Sequence, residues 1–273
     1  MAVVLITGCS SGFGLATALA FARRGDDVVA TLRDPARADN RLVEHAKSVE
    51  RLDVTDQGSI NQAVAATIQR FGRIDVLVNN AGIGVVAALE VLDDVTLRRV
   101  FDTNVFGAAA VTRAVLPHMR AQGHGRVIFM NAIGGVLTTA FLGAYCASKH
   151  ALDCIAAVFD LELRPFGIRV SSVYPSAFHT AIADNMPAIA GDGSPYAEPT
   201  RAYHAGLSNR VRGGPTDLSP VVNAVLEAAT SDDPQLRYLV APHLAEVLTP
   251  AMQALDALHQ REVGLTPGLS PRA

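Results

Sequence analysis

The sequence lacks the features that mark extracellular, metal-dependent or nucleic-acid-binding proteins. It has three cysteines, Cys9, Cys146 and Cys154, which are too few and too unevenly spaced for a disulfide framework or a metal cluster. We therefore expect reduced thiols in a cytoplasmic protein, and no metal site. Lys and Arg never run beyond the pairs at 23–24 and 98–99, and the net charge is −3. This charge pattern argues against a nucleic-acid or polybasic membrane surface.

Long apolar runs are also missing. No stretch reaches the length needed to span a bilayer. The opening MAVVLITG has no basic residues and a short apolar run before Thr7, so it predicts a buried strand and not a signal peptide. What the sequence does contain is 273 residues, of which 49% are hydrophobic. This supports one domain with a sizeable core over residues 1–273, acting on a small molecule.

Short runs rich in Val and Ile alternate with helical patterns. Strands are predicted at 3–6, 27–32, 49–52, 74–78, 126–130, 168–173 and 237–240. Helices are predicted at 13–24, 38–47, 57–71, 93–121 (two helices), 145–165 and 217–229. Strands that are apolar on both sides are covered on both faces. The alternation predicts an α/β fold, a doubly wound parallel sheet of about seven strands with helices on both faces.

Two segments depart from this rhythm. Residues 176–215 mix prolines and glycines with Phe178, Ile182, Met186 and Tyr196. The mixture is neither a linker nor a clean strand or helix, and it fits either a lid over a pocket or a surface insertion packed on its own domain. Residues 262–273 are expected to form a flexible tail or to pack against a partner subunit.

A glycine-rich turn joins the first predicted strand to the first helix. The stretch TGCSSGFG contains Gly8, Gly12 and Gly14. Gly8 permits a sharp turn, Gly12 lets the backbone approach a pyrophosphate, and Gly14 allows close packing of helix on strand, while the helix N-terminus supplies N–H donors. The position of this turn predicts a dinucleotide-binding site.

Tyr145 and Lys149 are four residues apart at the start of a predicted helix, so they share one face. A phenol is a poor base at neutral pH, but a nearby ammonium and an oxidised nicotinamide favour the phenolate. The phenol can then exchange a proton with a substrate oxygen.

The spacing of the glycines after Thr7, the NNAG stretch at 79–82 and the YCASK stretch together resemble the short-chain dehydrogenase/reductase family over residues 3 to about 180. The resemblance implies that Tyr145 and Lys149 are catalytic, that Lys149 also holds the nicotinamide ribose, and that Asn104 completes a proton relay. It implies a cofactor site formed by Gly8, Ser10, Ser11, Gly12, Phe13, Gly14, Arg33, Asp53, Val54, Asn80, Ala81, Gly82, Tyr145, Lys149, Pro175, Phe178 and Thr180.

The end of the second strand bears on the choice of cofactor. An acidic residue there would bind both ribose hydroxyls of NAD, but this position is Leu32, followed by Arg33 and Asp34. Arginine pairs with phosphate and stacks on adenine. NADP(H) is therefore favoured over NAD(H), although Asp34 partly offsets the charge of Arg33.

One expected group is missing from the predicted active site. The family places a serine thirteen residues before the tyrosine, and counting back from Tyr145 gives Ala132. Loss of one oxyanion donor typically costs roughly 10²–10³ in rate. Asn131 is expected to face away and cap a turn, and Thr138 and Thr139 are weak substitutes. A deliberate replacement of the serine is favoured over natural variation.

The resemblance leads to an oxidoreductase that moves a hydride between nicotinamide and a lipophilic or aromatic ketone or secondary alcohol, with Ala132 impairing it. The alternative is a non-catalytic NADP-binding sensor or scaffold. A dehydratase or epimerase is a weaker possibility. His179 and His204 are candidates for a polar end of the substrate, and Cys146 is expected to point away from it. A homodimer or homotetramer is expected, because the family pairs the helices that begin near Asn104 and Tyr145.

Overall fold

The computed structural model describes residues 1–182 and 184–265, without the side chains of 260 and 262–265. Its main feature is a seven-stranded sheet in which every neighbouring pair of strands is parallel. The strands are β1 (Val3–Ile6), β2 (Asp27–Leu32), β3 (Ser48–Arg51), β4 (Val76–Asn79), β6 (Gly125–Met130), β7 (Ile168–Pro175) and β9 (Arg237–Val240). Their order is β3-β2-β1-β4-β6-β7-β9. The predicted α/β doubly wound sheet is confirmed.

Helices cover the sheet. They are α1 (Gly12–Arg23), α2 (Asn40–His45), α3 (Gln57–Phe71), α4 (Asp94–Phe101), α5 (Ala108–Gln122), α6 (Gly143–Leu163), α7 (Ala197–Arg212), α8 (Ser219–Thr230) and α9 (Ala245–Leu265). A π-helical segment, Asp102–Gly107, joins α4 to α5. The stretch predicted to be two helices at 93–121 is therefore two helices linked by a wider turn.

The core lies on both faces of the sheet. Along β1, Val4 and Ile6 belong to one buried cluster and Leu5 to the other, because successive side chains of a strand point to opposite faces. All three residues are fully buried. This two-sided burial explains why the central strands β1 and β4 are nearly continuous apolar runs in the sequence, whereas the edge strand β3 reads SVER and is only partly buried.

The strand order places the candidate site. β1 lies between β2 and β4, and the chain moves outward from β1 in both directions. In such sheets ligands bind beyond the carboxyl ends of the strands, at the point where the direction reverses. The glycine-rich turn follows β1, and NNAG begins at the end of β4. Both predicted cofactor segments therefore lie at this edge.

The segment 176–215 is more regular than its composition suggests. It contains the short strand β8 (Ala188–Ile189), paired in parallel with β5 (Val86–Ala87), and the 16-residue helix α7. The expectation of neither strand nor helix was wrong here. Pro199 stands in the first turn of α7, where proline is tolerated because the first N–H groups have no helical partner.

Helix α9 was also not predicted. Arg237 on β9 binds Asp153 on α6 and Asp256 on α9, and His259 on α9 lies 3.2 Å from the Asp160 carboxylate on α6. These contacts dock α9 beside α6, the helix that carries Tyr145 and Lys149. The predicted tail overlaps α9 as far as Leu265, and residues 266–273 lie outside the described part of the chain. No described helix is long and apolar enough to cross a membrane.

Candidate active site

The glycine-rich turn needs glycine at two of its positions. Gly8 has a φ of +72°, and a Cβ there would lie 2.8 Å from the Cα of Ala81. A Cβ on Gly14 would lie 2.3 Å from the Gly8 carbonyl oxygen and 2.4 Å from Asn80 Nδ2. Neither approach leaves room for a side chain. The turn is therefore pressed against the loop after β4, as a nucleotide cradle requires.

The N-terminus of α1 faces this cradle. Ser10 and Ser11 are exposed, and the side chain of Ser11 makes no capping hydrogen bond. Gly12 has a φ of +57°, and a Cβ there would approach Thr180 to 3.5 Å. A helix N-terminus without a side-chain cap offers its N–H groups to an anion. These residues fit the pyrophosphate of a dinucleotide.

Polar contacts lock the two cofactor loops together. The hydroxyl of Thr7 accepts hydrogen bonds from the N–H groups of Asn80 and Ala81, both at 3.0 Å. The Asn80 amide donates at 2.9 Å to the carbonyls of Thr7 and Gly8. Asn79 donates instead to Thr112 on α5 at 2.9 Å. The NNAG loop is thus held in one position beside the glycine turn.

Arg33 is exposed directly after β2, and within the described residues it forms no hydrogen bond or ion pair. Asp34, which was expected to offset its charge, accepts a hydrogen bond from the Ala36 N–H at 3.2 Å and caps the next turn. Asp53 accepts from the Thr55 N–H and hydroxyl at 3.0 and 2.8 Å. Burial raises the pKa of the Asp53 carboxyl, but these bonds, with smaller help from Arg33, outweigh it and lower the pKa.

The predicted catalytic groups come together in one pocket. Lys149 Nζ lies 5.8 Å from the centre of the Tyr145 ring and donates to the Met130 carbonyl at 2.8 Å. Asn104, in the π-helical segment, is buried beside them. Its amide donates to the Ser148 hydroxyl at 3.0 Å.

Asn104 also clamps the chain after NNAG. Its side chain accepts from the Ile83 N–H and donates to the Ile83 carbonyl, both at 2.8 Å. A Cβ on Gly82 would lie 3.3 Å from Asn104 Oδ1 and 3.8 Å from Lys149 Nζ. Val54 packs against Gly107, where the π-helical segment ends. The π-helical segment therefore touches both the predicted cofactor loops and α6, which carries Tyr145 and Lys149.

Burial dominates the titration of the two reactive groups. It lowers the pKa of Lys149 to about 8 and raises the pKa of Tyr145 above its ordinary value. The protein groups alone therefore favour the neutral phenol, and Lys149 is not among the groups that shift the pKa of Tyr145. A phenolate at this position depends on the positive charge of an oxidised nicotinamide.

Ala132 lies where the serine hydroxyl was expected. It is buried, in extended backbone just after β6, and it lines the pocket with Tyr145. Asn131 also lines the pocket, contrary to the expectation that it faces away, and its Oδ1 accepts from the adjacent Ala132 N–H at 2.9 Å, while the turn that follows has no side-chain cap. The Asn131 Nδ2 is buried with no hydrogen-bond partner in the described structure. Of the two threonines, Thr139 lines the pocket and Thr138 does not.

The pocket is a cavity of about 270 Å³ that extends from the cofactor loops to the segment 176–215. Phe13 and Phe178 meet edge to face across it, with ring centres 5.7 Å apart. Its cofactor end also includes Pro175 and Thr180. The outer wall is apolar, formed by Ile133, Leu137, Leu142, Ile182, Met186, Leu207, Val211 and Leu244.

Several side chains lie elsewhere than predicted. Cys146 lines the pocket, although helix geometry suggested that it points away, and burial raises the pKa of its thiol. Tyr196 is not in the lining and donates to Glu90 at 2.7 Å. His179 is outside the pocket, and a ring nitrogen of His204 lies 3.1 Å from the Met186 carbonyl. The i, i+4 spacing of Leu207 and Val211 was the one sequence signal for the missed helical wall.

Comparisons with known proteins agree with this geometry. The family model described as short chain dehydrogenase matches residues 2–189. A 3-ketodihydrosphingosine reductase of Bacteroides thetaiotaomicron is 38% identical over 200 residues, 72% of each chain. A short-chain dehydrogenase structure from Streptomyces avermitilis has 36% identity and a TM-score of 0.80, covering 98% of both chains.

A further structure bears on the cofactor. It is a short-chain dehydrogenase/reductase from Burkholderia phymatum in complex with NAD. It shares 25% identity and a TM-score of 0.79, and covers 100% of this chain and 97% of the other. The chain therefore belongs to the short-chain dehydrogenase family of oxidoreductases, which work with a nicotinamide cofactor.

Proposed function

We propose that the protein is an NADP(H)-dependent oxidoreductase for lipophilic or aromatic ketones and the matching secondary alcohols. The proposal rests on one observation: the Tyr145/Lys149 pair and a mainly apolar wall line the same pocket. Tyr145 and Lys149 stand at its inner end, beside the cofactor loops, and the rest of its wall is apolar. A carbonyl held near the phenol would have its hydrocarbon part in contact with that wall.

The chain's own residues divide the work. Bound nicotinamide supplies or accepts the hydride. Tyr145 passes a proton to or from the substrate oxygen, and its hydroxyl has no hydrogen-bond partner among the described residues, so it is available for this contact. Lys149 orients the nicotinamide ribose and favours the phenolate. Asn104 holds the Ile83 backbone and the Ser148 hydroxyl in fixed positions beside this pair through hydrogen bonds of its side chain.

Arg33 supports the preference for NADP(H). Its guanidinium is exposed beyond β2, and the carboxylate of neighbouring Asp34 is used as a turn cap. A planar guanidinium without a hydrogen-bond or ion-pair partner among the described residues suits a ribose phosphate. Leu32, where an acidic residue would select NAD, is buried.

The apolar wall supports the substrate class. The one relative described above that is named for its substrate is a 3-ketodihydrosphingosine reductase, an enzyme that by its name reduces a keto compound. Among the described residues that line the pocket, Lys149 is the one charged side chain, and it stands at the inner end beside Tyr145. A charged substrate would lose its hydration at the outer wall without gaining a partner.

Restoring the missing hydroxyl tests the proposal. In Ala132→Ser, turnover of aryl ketones with NADPH, followed at the nicotinamide absorbance, should rise by roughly 10²–10³ because one oxyanion donor is regained. The dissociation constant for NADP(H) should not change. Ala140→Ser, which adds a hydroxyl to an exposed loop outside the pocket, serves as the control. Turnover no higher in Ala132→Ser than in this control would contradict the proposal.

Ala132 also supports a second candidate, a non-catalytic NADP-binding sensor or scaffold. This candidate predicts unchanged cofactor binding and no hydride transfer to any carbonyl, with or without the serine. The intact Tyr145, Lys149 and Asn104 favour the enzyme. Measured oxidation of NADPH by Ala132→Ser in the presence of a ketone would exclude the non-catalytic candidate.

A further inference from the structure

Met186 connects the segment 176–215 to the active-site pocket. Its side chain is buried and lines the cavity. Its carbonyl lies 3.1 Å from a ring nitrogen of His204 on α7. The next residue, Pro187, accepts a hydrogen bond at 3.0 Å from the Val86 N–H, where β5 and β8 pair. The backbone around Met186 is therefore fixed, while its unbranched side chain retains three rotatable bonds.

The thioether end of Met186 rests on Gly84. A Cβ built on Gly84 would lie 2.3 Å from Met186 Cε, 2.9 Å from Sδ and 3.1 Å from Cγ. The φ of Gly84 is not in the left-handed region, so its backbone does not require glycine. Gly84 instead forms a notch: because glycine has no side chain, the Met186 thioether has room to pack against its backbone.

The notch is rigid. Ile83, immediately before Gly84, is held on both its N–H and its carbonyl by Asn104. Val86, two residues after Gly84, is paired with β8. A methyl group added to Gly84 would therefore meet a fixed backbone and a flexible thioether, and the thioether would move. The cavity that Met186 already lines is the space open to it.

We propose that Met186 is the specificity-determining residue for substrate size, and that Gly84 is the seat that keeps its thioether out of the substrate space. The proposal deepens the proposed function and rests on the pocket being the substrate site. It assigns bulky lipophilic ketones to the state in which Met186 occupies the notch. When a side chain at position 84 fills the notch, the Met186 thioether moves into the substrate space, and only compact ketones retain full affinity.

Binding of graded aryl ketones tests this assignment. The probes are acetophenone, 2-acetylnaphthalene and 4-acetylbiphenyl, titrated by calorimetry into protein saturated with NADP⁺. In Gly84→Ala, the displaced thioether should weaken binding of the biphenyl ketone by about 10-fold or more, the scale of one methylene-sized misfit in a pocket. Affinity for acetophenone should change less than about 2-fold. In Met186→Ala, the biphenyl ketone should bind at least as tightly as in the parent protein.

The double variant Gly84→Ala/Met186→Ala identifies the cause. If the notch acts through the thioether, removing the thioether abolishes the effect of the added methyl group. A loss that is equal for all three ketones, or that persists in the double variant, would mean that Gly84 acts through the Asn104 clamp and would overturn the assignment. Gly206→Ala is the control glycine, since a Cβ there meets nothing within 4 Å.

Binding and turnover separate this inference from the proposed function. Ketones that bind with the predicted size dependence but are never reduced with NADPH, even in Ala132→Ser, would contradict the oxidoreductase and leave the role of Met186 supported. Reduction of ketones whose size does not affect binding differently in the variants would support the oxidoreductase and contradict the role of Met186. If none of the three ketones binds to the parent protein, the pocket does not take this class and the assignment fails. Unchanged melting temperatures and NADP⁺ affinity establish that the variants are folded.

Discussion

At the scale of single residues, burial sets the titration of the active site. Lys149 is 5% exposed and donates one hydrogen bond, to a carbonyl that carries no full charge. Desolvation therefore disfavours its ammonium form and lowers its pKa from 10.5 to about 8. A bound cofactor offers ribose hydroxyls to this ammonium, which would partly replace its lost hydration.

The lowered pKa of Lys149 predicts a pH dependence of stability. Between pH 8 and 10.5 the unfolded chain keeps a proton that the folded protein releases, so the free energy of unfolding rises with pH in this window. From pH 8 to about 9.5 the parent protein should gain about 2 kcal/mol relative to Lys149→Met. Urea unfolding of both proteins at the two pH values measures this. An identical pH response in the variant would show that Lys149 is not the group responsible.

Arg33 predicts cofactor selectivity. Replacing it with alanine should weaken NADPH binding by roughly 10- to 100-fold, the scale of a lost charge-assisted hydrogen bond, and leave NADH binding nearly unchanged. Fluorescence titration with both nucleotides measures the change. Arg70→Ala, an exposed arginine at the far end of α3, controls for net charge. Equal losses for the two nucleotides would contradict a contact with the ribose phosphate.

The sequence could predict the site residues whose positions depend on their spacing along a short stretch of the chain. Tyr145 and Lys149 lie one helical turn apart, and the glycines follow a strand, so both patterns can be read along the chain. Cys146 could not be placed in this way, and Met186 was assigned only to a segment that fitted either a lid or a surface insertion, because their contacts with the pocket come from distant segments. The position of Met186 depends on a glycine about one hundred residues earlier.

At the scale of elements, α9 depends on buried charges for its position. Arg237 is 8% exposed and binds the Asp153 carboxylate with two nitrogens at 3.0 Å, and it also binds Asp256. Burial opposes its charge, but the hydrogen bonds to Asp153 outweigh burial and raise the pKa of Arg237. Leu244, immediately before α9, lines the pocket. The docking of α9 is thereby linked to the shape of the substrate wall.

Removing Arg237 should release α9. In Arg237→Met the carboxylates of Asp153 and Asp256 lose the guanidinium, although Asp153 keeps its hydrogen bond from the Tyr174 hydroxyl, and the loss should cost about 3 kcal/mol in the free energy of unfolding. Limited proteolysis should then cut within 245–265 before the rest of the chain. Arg201→Met is the matched control, because its pair with Asp192 is exposed and contributes less than about 1 kcal/mol. Equal protease resistance of the two variants would contradict this role for Arg237.

At this scale, the strands of the main sheet could be predicted from the sequence, since most of them coincide with short apolar runs. All seven strands of the main sheet were expected within a few residues of their positions. The missed helices, α7 and α9, each contain a proline, at 199 and 250, and α7 is rich in polar residues. The strands β5 and β8 have two residues each, too few for any periodicity. These elements are stabilised by tertiary contacts, which cannot be recognised from the pattern of neighbouring residues in the sequence.

At the scale of the whole molecule, a groove on α4 and the π-helical segment remains open to solvent. It is lined by Leu97, Phe101 and Phe106, with Arg98 and two aspartates at its rim. Phe106 is 60% exposed. An exposed aromatic side chain in an apolar groove is typical of a protein interface. This groove supports the prediction of a homodimer or homotetramer, since it lies beside Asn104.

The oligomer prediction is testable with one substitution. Sedimentation equilibrium of the parent protein should give two or four times the chain mass, and Phe106→Asp should lower it, because a carboxylate would be desolvated in the interface. Val43→Asp, at an equally exposed apolar residue on α2, should leave the mass unchanged. A monomeric parent protein would rule out the prediction.

The π-helical segment has a consequence for how the gene can vary. A π-turn is one residue wider than an α-turn, so losing one codon within 102–107 would allow α4 and α5 to merge into one regular helix. The flanking helices would keep their register, because the extra residue is held within the wide turn, and the residues of the segment itself would shift. Asn104 would leave Ile83 and Ser148 while the core stayed folded. An in-frame loss of three bases could thus silence this protein without removing any catalytic side chain.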